Sequence, residues 1–170
     1  MSITDYLIDS LLVLLVLLQI KERPLTDRSL IRPLVVVGAA VVIYLNGIPT
    51  GGNDLVLIGA LALLGALIGI ASGHTVLMRR ASDGQVLARS AWASGFFWVL
   101  GMGSRFAFIF WITHFGSATI GAFSVQHAIT GGEAWTAALL AMAAFEVAGR
   151  TAVLAARRGQ LQRAGGVELA

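Results

Sequence analysis

Residues 55–78 read LVLIGALALLGALIGIASGHTVLM, twenty-four positions without an Asp, Glu, Lys or Arg. About 20 apolar residues in a helix cross the roughly 30 Å of a bilayer's hydrocarbon, so this run is a membrane span. It stops at Arg79-Arg80, where two guanidinium groups belong at a headgroup surface.

Working outward, four more spans follow from the same criterion: 3–20, about 30–48, 90–114 and about 134–156. The second is the shortest in apolar content. Its helix is expected to begin near Leu30, with Pro33 in the first turn, where a missing N–H costs little, and Arg32 snorkelling outward. Span one does not follow secretory-signal order, because Asp5 precedes it, Asp9 lies within it, and Lys21, Glu22 and Arg23 follow it. An uncleaved first span is expected. The fold class is therefore all-α, one transmembrane domain over 1–170 with five helices and a short cytoplasmic tail at 157–170.

Composition agrees. Of 170 residues, 57% are apolar and 12% charged, with a mean hydropathy of +0.83. Soluble domains average about 25% charged residues, so a soluble enzyme, a nucleic-acid-binding module and a disordered chain are all excluded. With no cysteine, disulfides, thiolate metal centres and thiol relays are excluded as well.

The net charge of +3 is a topology signal. Ten of the twelve basic residues fall in three regions: Lys21, Arg23, Arg28 and Arg32; Arg79, Arg80 and Arg89; Arg157, Arg158 and Arg163. Five spans place all three on one side, which the positive-inside rule makes cytoplasmic, leaving the N-terminus outside. Loop 49–54, PTGGND, reads as a tight turn, and Asp83-Gly84 as another. Segment 115–133 either extends span four, lies flat at the interface or forms a lid; its apolar content favours the interface.

Chemistry within the membrane falls to the ionisable residues inside spans: Asp9, Arg105, Glu146 and Arg150. At about 1.5 Å per helical residue, Asp9, Arg105 and Glu146 reach one layer from three different helices. Arg105 with Glu146 or Asp9 is the expected pair, and Glu146 and Arg150, at i and i+4, share a face. The set is a bundle-locking ion pair, a polar site for a substrate, ion or proton, or a group of charges crowded by lipid headgroups. Gly101-Met102-Gly103 beside Arg105 loosens the helix there. Gly65, Gly69 and Gly73 form a close-packing stripe, within the chain or between copies. Trp92 and Trp111 stand at the two ends of span four as interface anchors. His74 and His114 lie near opposite faces, too far apart to ligate one haem, and neither a metal nor a cofactor is expected.

KERPLTDRSLIRP after span one, and RRASDGQVLARSAW leading into GMGSRFAF, resemble the CcdC-like family of small bacterial membrane proteins. The resemblance implies a bacterial cytoplasmic-membrane protein and assigns no catalytic residue. Serine elbows and paired acidic motifs are absent from the sequence. The expected function is transport- or channel-like, with a polar site around Arg105. The alternative is a non-catalytic accessory subunit of a larger membrane complex, and an intramembrane lipid-modifying enzyme comes third. The expected partners are the lipid bilayer and a homo-oligomer or larger complex, with no nucleic acid.

Overall fold

The computed structural model describes residues 23–44, 47–81, 85–89 and 92–167. The chain is mostly helical. Helix α1 is Asp27–Tyr44, α2 Asp54–His74, α3 Trp92–Trp111, α4 Ser117–Gln126 and α5 Gly132–Val167, and a π-helical turn, Ile112–Gly116, joins α3 to α4. Three helical stretches are long and apolar enough to cross a membrane: Asp54–His74, Val99–Gln126 and Gly132–Arg163. Residues 3–20, the first expected span, lie outside the described residues.

The all-α expectation needs one correction. A three-stranded antiparallel sheet, ordered β1-β3-β2, is built from β1 (Arg23–Pro24), β2 (Leu77–Arg80) and β3 (Val86–Arg89). Met78 pairs with Ala88 and Arg80 with Val86, and Arg23 pairs with Ala88 from the other edge. Leu77 and Met78, assigned to span three by hydropathy, are strand residues. Helix α2 ends at His74, where the Thr75 hydroxyl donates to the Ser72 carbonyl (2.7 Å). The sheet buries Val76 and Val86, both 3% exposed, and satisfies its backbone through the ladder.

Helix α1 also departs from expectation. It begins at Asp27, three residues before Leu30, because Thr26 caps it: the Ser29 N–H reaches Thr26 Oγ1 at 3.3 Å. Pro33 therefore lies past the first turn, inside the helix. With Asp27, Arg28 and Arg32 inside its 18 residues, α1 is not among the helices apolar enough to span. The helix is described to Tyr44, and Gly47–Ile48, expected at its end, are not helical.

Segment 115–133 is not an interfacial loop. The helical path continues from Trp92 to Gln126, so this segment largely extends span four. A π turn leaves carbonyls without their usual i+4 partners. Thr113 Oγ1 lies 3.0 Å from the Ile109 and Phe110 carbonyls, and His114 Nδ1 lies 2.9 Å from the latter. Gly116 has no room for a Cβ, which would press on the Trp111 ring.

Helix α5 runs 36 residues, about 54 Å at the helical rise. The expected tail at 157–170 is thus helical as far as Val167. Helix α5 packs chiefly along α2, and the two run parallel. Their interface is made of small residues, with Ala62, Ala134, Ala137 and Ala138 all buried. A Cβ on Gly65 would overlap the Met142 carbonyl, and one on Gly69 the Glu146 carbonyl. Gly149 meets the Ala66 carbonyl in the same way from the α5 side. The glycine stripe of α2 is spent on this contact within the chain, where backbones approach closely and dispersion replaces the hydrophobic effect that lipid cannot supply.

Candidate functional site

Arg105 on α3 and Glu146 on α5 form an ion pair between Nη2 and Oε2. Their side chains are 17% and 14% exposed, and both stand inside helices apolar enough to span. Gly101 makes the approach possible, since a Cβ there would collide with both Glu146 carboxylate oxygens. Its carbonyl also accepts from Arg105 Nε at 2.8 Å, which fixes the plane of the guanidinium. The GMG sequence thus supplies a notch for the carboxylate and an acceptor for the arginine.

One turn further along α5, Arg150 Nη1 donates to Ser72 Oγ at 3.0 Å. Ser72 is 3% exposed on α2, and Gly73 leaves the adjoining space to Val153 and the Arg150 carbonyl. Two polar contacts therefore cross between helices, Arg105 with Glu146 and, one turn further along α5, Arg150 with Ser72. Arg157 lies on the same face of α5, where Nη1 reaches the carbonyls of Gly73 (3.1 Å), His74 (3.2 Å) and Val76 (2.8 Å). It satisfies acceptors that the end of α2 leaves open and sits at the negative end of that helix dipole. Arg158 pairs with Asp27, tying α5 to α1.

Of the residues singled out from sequence, the structure brings together Arg105, Glu146 and Arg150, and sets Gly65, Gly69 and Gly73 beside them along α2. Asp9 lies outside the described residues. The three histidines stay apart: His74 is exposed at the end of α2, His114 stacks on Phe110 (4.3 Å) and His127 lies against Phe123 (4.2 Å).

A second polar cluster was not anticipated. Asp54, the first residue of α2, is fully buried. It accepts from the Thr130 backbone N–H (2.9 Å) and from the Thr130 hydroxyl. Beside it, Asn53 donates to the His127 carbonyl (3.0 Å) through Nδ2 and to the Ala128 carbonyl (2.9 Å) through its N–H. Gly52, at φ +49°, abuts Ala128 so closely that no Cβ fits. A carboxylate opening an apolar helix was a visible sign of stabilisation at a helix N-terminus. Its partner, 76 residues away, was not.

No family model, curated protein or solved structure matches the chain.

Proposed function

We propose that this chain is a small transport- or channel-type protein of the bacterial cytoplasmic membrane. Its five spans follow the sequence reading, with 3–20 and about 30–48 crossing beside the three helices long and apolar enough to span, the N-terminal end outside and the sheet end cytoplasmic. The orientation is supported by the gathering of Arg28, Arg79, Arg80, Arg89, Arg157, Arg158 and Arg163 toward the sheet end, as the positive-inside rule demands.

The observation that carries the reading is the Arg105–Glu146 pair. It joins a lightly covered span to the close-packed α2–α5 unit, since only 6% of the apolar window of Val99–Gln126 is buried. A close-packed unit and a second part held to it by an exchangeable ion pair suit rocking of one part against the other around a polar site. A solute that competes for either charge releases α3 without breaking any helix.

The test is flux in liposomes loaded with a pH-sensitive dye or a chloride-quenched dye. The double variant R105Q/E146Q keeps the charge balance and is expected to fold. Loss of flux in the folded double variant supports transport at this site; unchanged flux sinks it. The accessory-subunit reading is favoured by the exposed rings of Phe110, Phe115 and Phe123 on the α3–α4 path. A stoichiometric membrane partner after mild detergent extraction would decide for it.

A further inference from the structure

Helix α2 ends at His74, where Arg157 holds its last carbonyls, and the next residue of α5, Arg158, pairs with Asp27 at the start of α1. The end of one apolar helix and the start of its neighbour thus stand at one level, and Leu77 follows His74 by three residues. A sheet that leaves the bundle there lies in the headgroup layer, which adds about 5–7 Å to each side of the hydrocarbon.

Strand alternation sorts the side chains of the sheet onto two faces. Val86 is buried, as is Val76, whose carbonyl accepts from Arg157, and β2 and β3 pack on α5, so this face is turned to α5. On the other face the register sets Leu77 opposite Arg89 and Arg79 opposite Leu87, with Pro24 beside Leu87. That face points sideways, away from the helix that runs along the bundle. Leu77 is 60% exposed, and Arg79 and Arg89 are exposed as well. Diagonal neighbours on one face of an antiparallel pair stand about 7–8 Å apart, which brings both guanidinium groups within reach of one phosphate or of two adjacent ones. Arg79 is also engaged within the chain; its charge and its place on the face are what count.

The charge at this end is one-sided. Among the described residues Asp27 is the one acidic side chain here, and Arg158 takes it, while Arg28, Arg80 and Arg163 are exposed. The opposite end carries Asp54 and Glu133 and, among the described residues, no lysine or arginine.

We infer that the outward face of the sheet binds anionic phospholipid headgroups. Leu77 and Leu87 enter the acyl boundary, and Arg79 and Arg89 hold the phosphates. The leucines favour a lipid over a soluble polyanion, which offers them nothing apolar to bury against. The inference needs only that α2 and α5 cross the membrane and is independent of transport.

The test is native mass spectrometry of the full chain in neutral detergent, with phosphatidylglycerol or phosphatidylcholine added at equal concentration. Phosphatidylglycerol is expected to stay bound and phosphatidylcholine to be lost. R79Q/R89Q should weaken phosphatidylglycerol binding about thirtyfold, equivalent to about 2 kcal/mol for two surface arginines, and R79K/R89K should retain most of it. R158Q/R163Q removes the same two charges from α5 and should bind as the unaltered chain does. Equal losses in R79Q/R89Q and R158Q/R163Q mean diffuse attraction and overturn the site, as does equal retention of the two lipids. Inorganic phosphate that raises the melting temperature as much as phosphatidylglycerol does makes this a free-anion site and overturns the lipid. A fluorophore on Leu77→Cys, the chain having no other cysteine, is expected to be quenched by headgroup-nitroxide lipids in phosphatidylglycerol vesicles. An unquenched label means the face looks into water and overturns the proposal, whether or not the arginine variants fold.

Discussion

Gly101 and Glu146 share one volume: the carboxylate occupies the place a Cβ on Gly101 would take. An intramembrane charge is thus seated against a helix backbone, where the neighbouring guanidinium and carbonyl complete its surroundings. Gly101→Ala is expected to expel the carboxylate and cost about 1–3 kcal/mol, read as a lower melting temperature in detergent. Gly103→Ala is the control, because its Cβ would meet only Val99 at 3.8 Å; it should be neutral or raise the melting temperature slightly through helix propensity.

Removing one member of the Arg105–Glu146 pair strands the other charge. R105Q or E146Q alone should cost about 2–4 kcal/mol. The double variant should recover much of that loss, with a coupling of at least about 1 kcal/mol in a double-mutant cycle followed by thermal unfolding. Additive losses would mean the two side chains do not interact.

The α2–α5 contact predicts a positional contrast along one helix. Gly65→Ala and Gly69→Ala must push against backbone carbonyls of α5, whereas Gly59→Ala meets nothing within 4 Å. The first two should each destabilise by about 1–3 kcal/mol, and the third should be tolerated or mildly stabilising. Equal tolerance at all three would place the α2–α5 interface elsewhere.

At the opposite end of the bundle from the sheet, Asp54→Ala should cost about 1–3 kcal/mol, since it leaves the Thr130 N–H and hydroxyl without their acceptor. Thr130→Ser, which keeps both donors, should cost less than Thr130→Val in the same melting assay.

Two adjacent arginines should behave differently. Arg157 serves three carbonyls, and Arg157→Gln should lower the melting temperature measurably. Arg158 pairs with an Asp27 side chain that is 80% exposed, and Arg158→Gln should change stability by no more than about 0.5 kcal/mol. Equal effects would contradict the capping role of Arg157 at the end of α2.

Much of this organisation was legible in the chain. The apolar run before Arg79-Arg80, the basic clusters, and the i, i+4 spacing of Glu146 and Arg150 are local features, and lipid as solvent turns local features into spans and faces. The glycine stripe signalled close packing but not its partner. The small sheet and the continuation of span four through the π turn escaped hydropathy, because hydropathy measures transfer into lipid and carries nothing about which backbone groups pair. The early start of α1 escaped for a related reason, its boundary being set by a threonine cap rather than by apolar content.

The primary structure by itself determined that the chain carries segments apolar enough to cross a bilayer and which charged residues fall within them, because transfer free energy and charge are properties of each residue. Only the tertiary structure decided that Gly101 yields its space to Glu146, that the stripe of α2 is consumed by α5, and that Asp54 is held by Thr130. Those outcomes depend on which helices run parallel and at what register. Register is set by the sum of many weak contacts across an interface, and no single segment of the chain contains it.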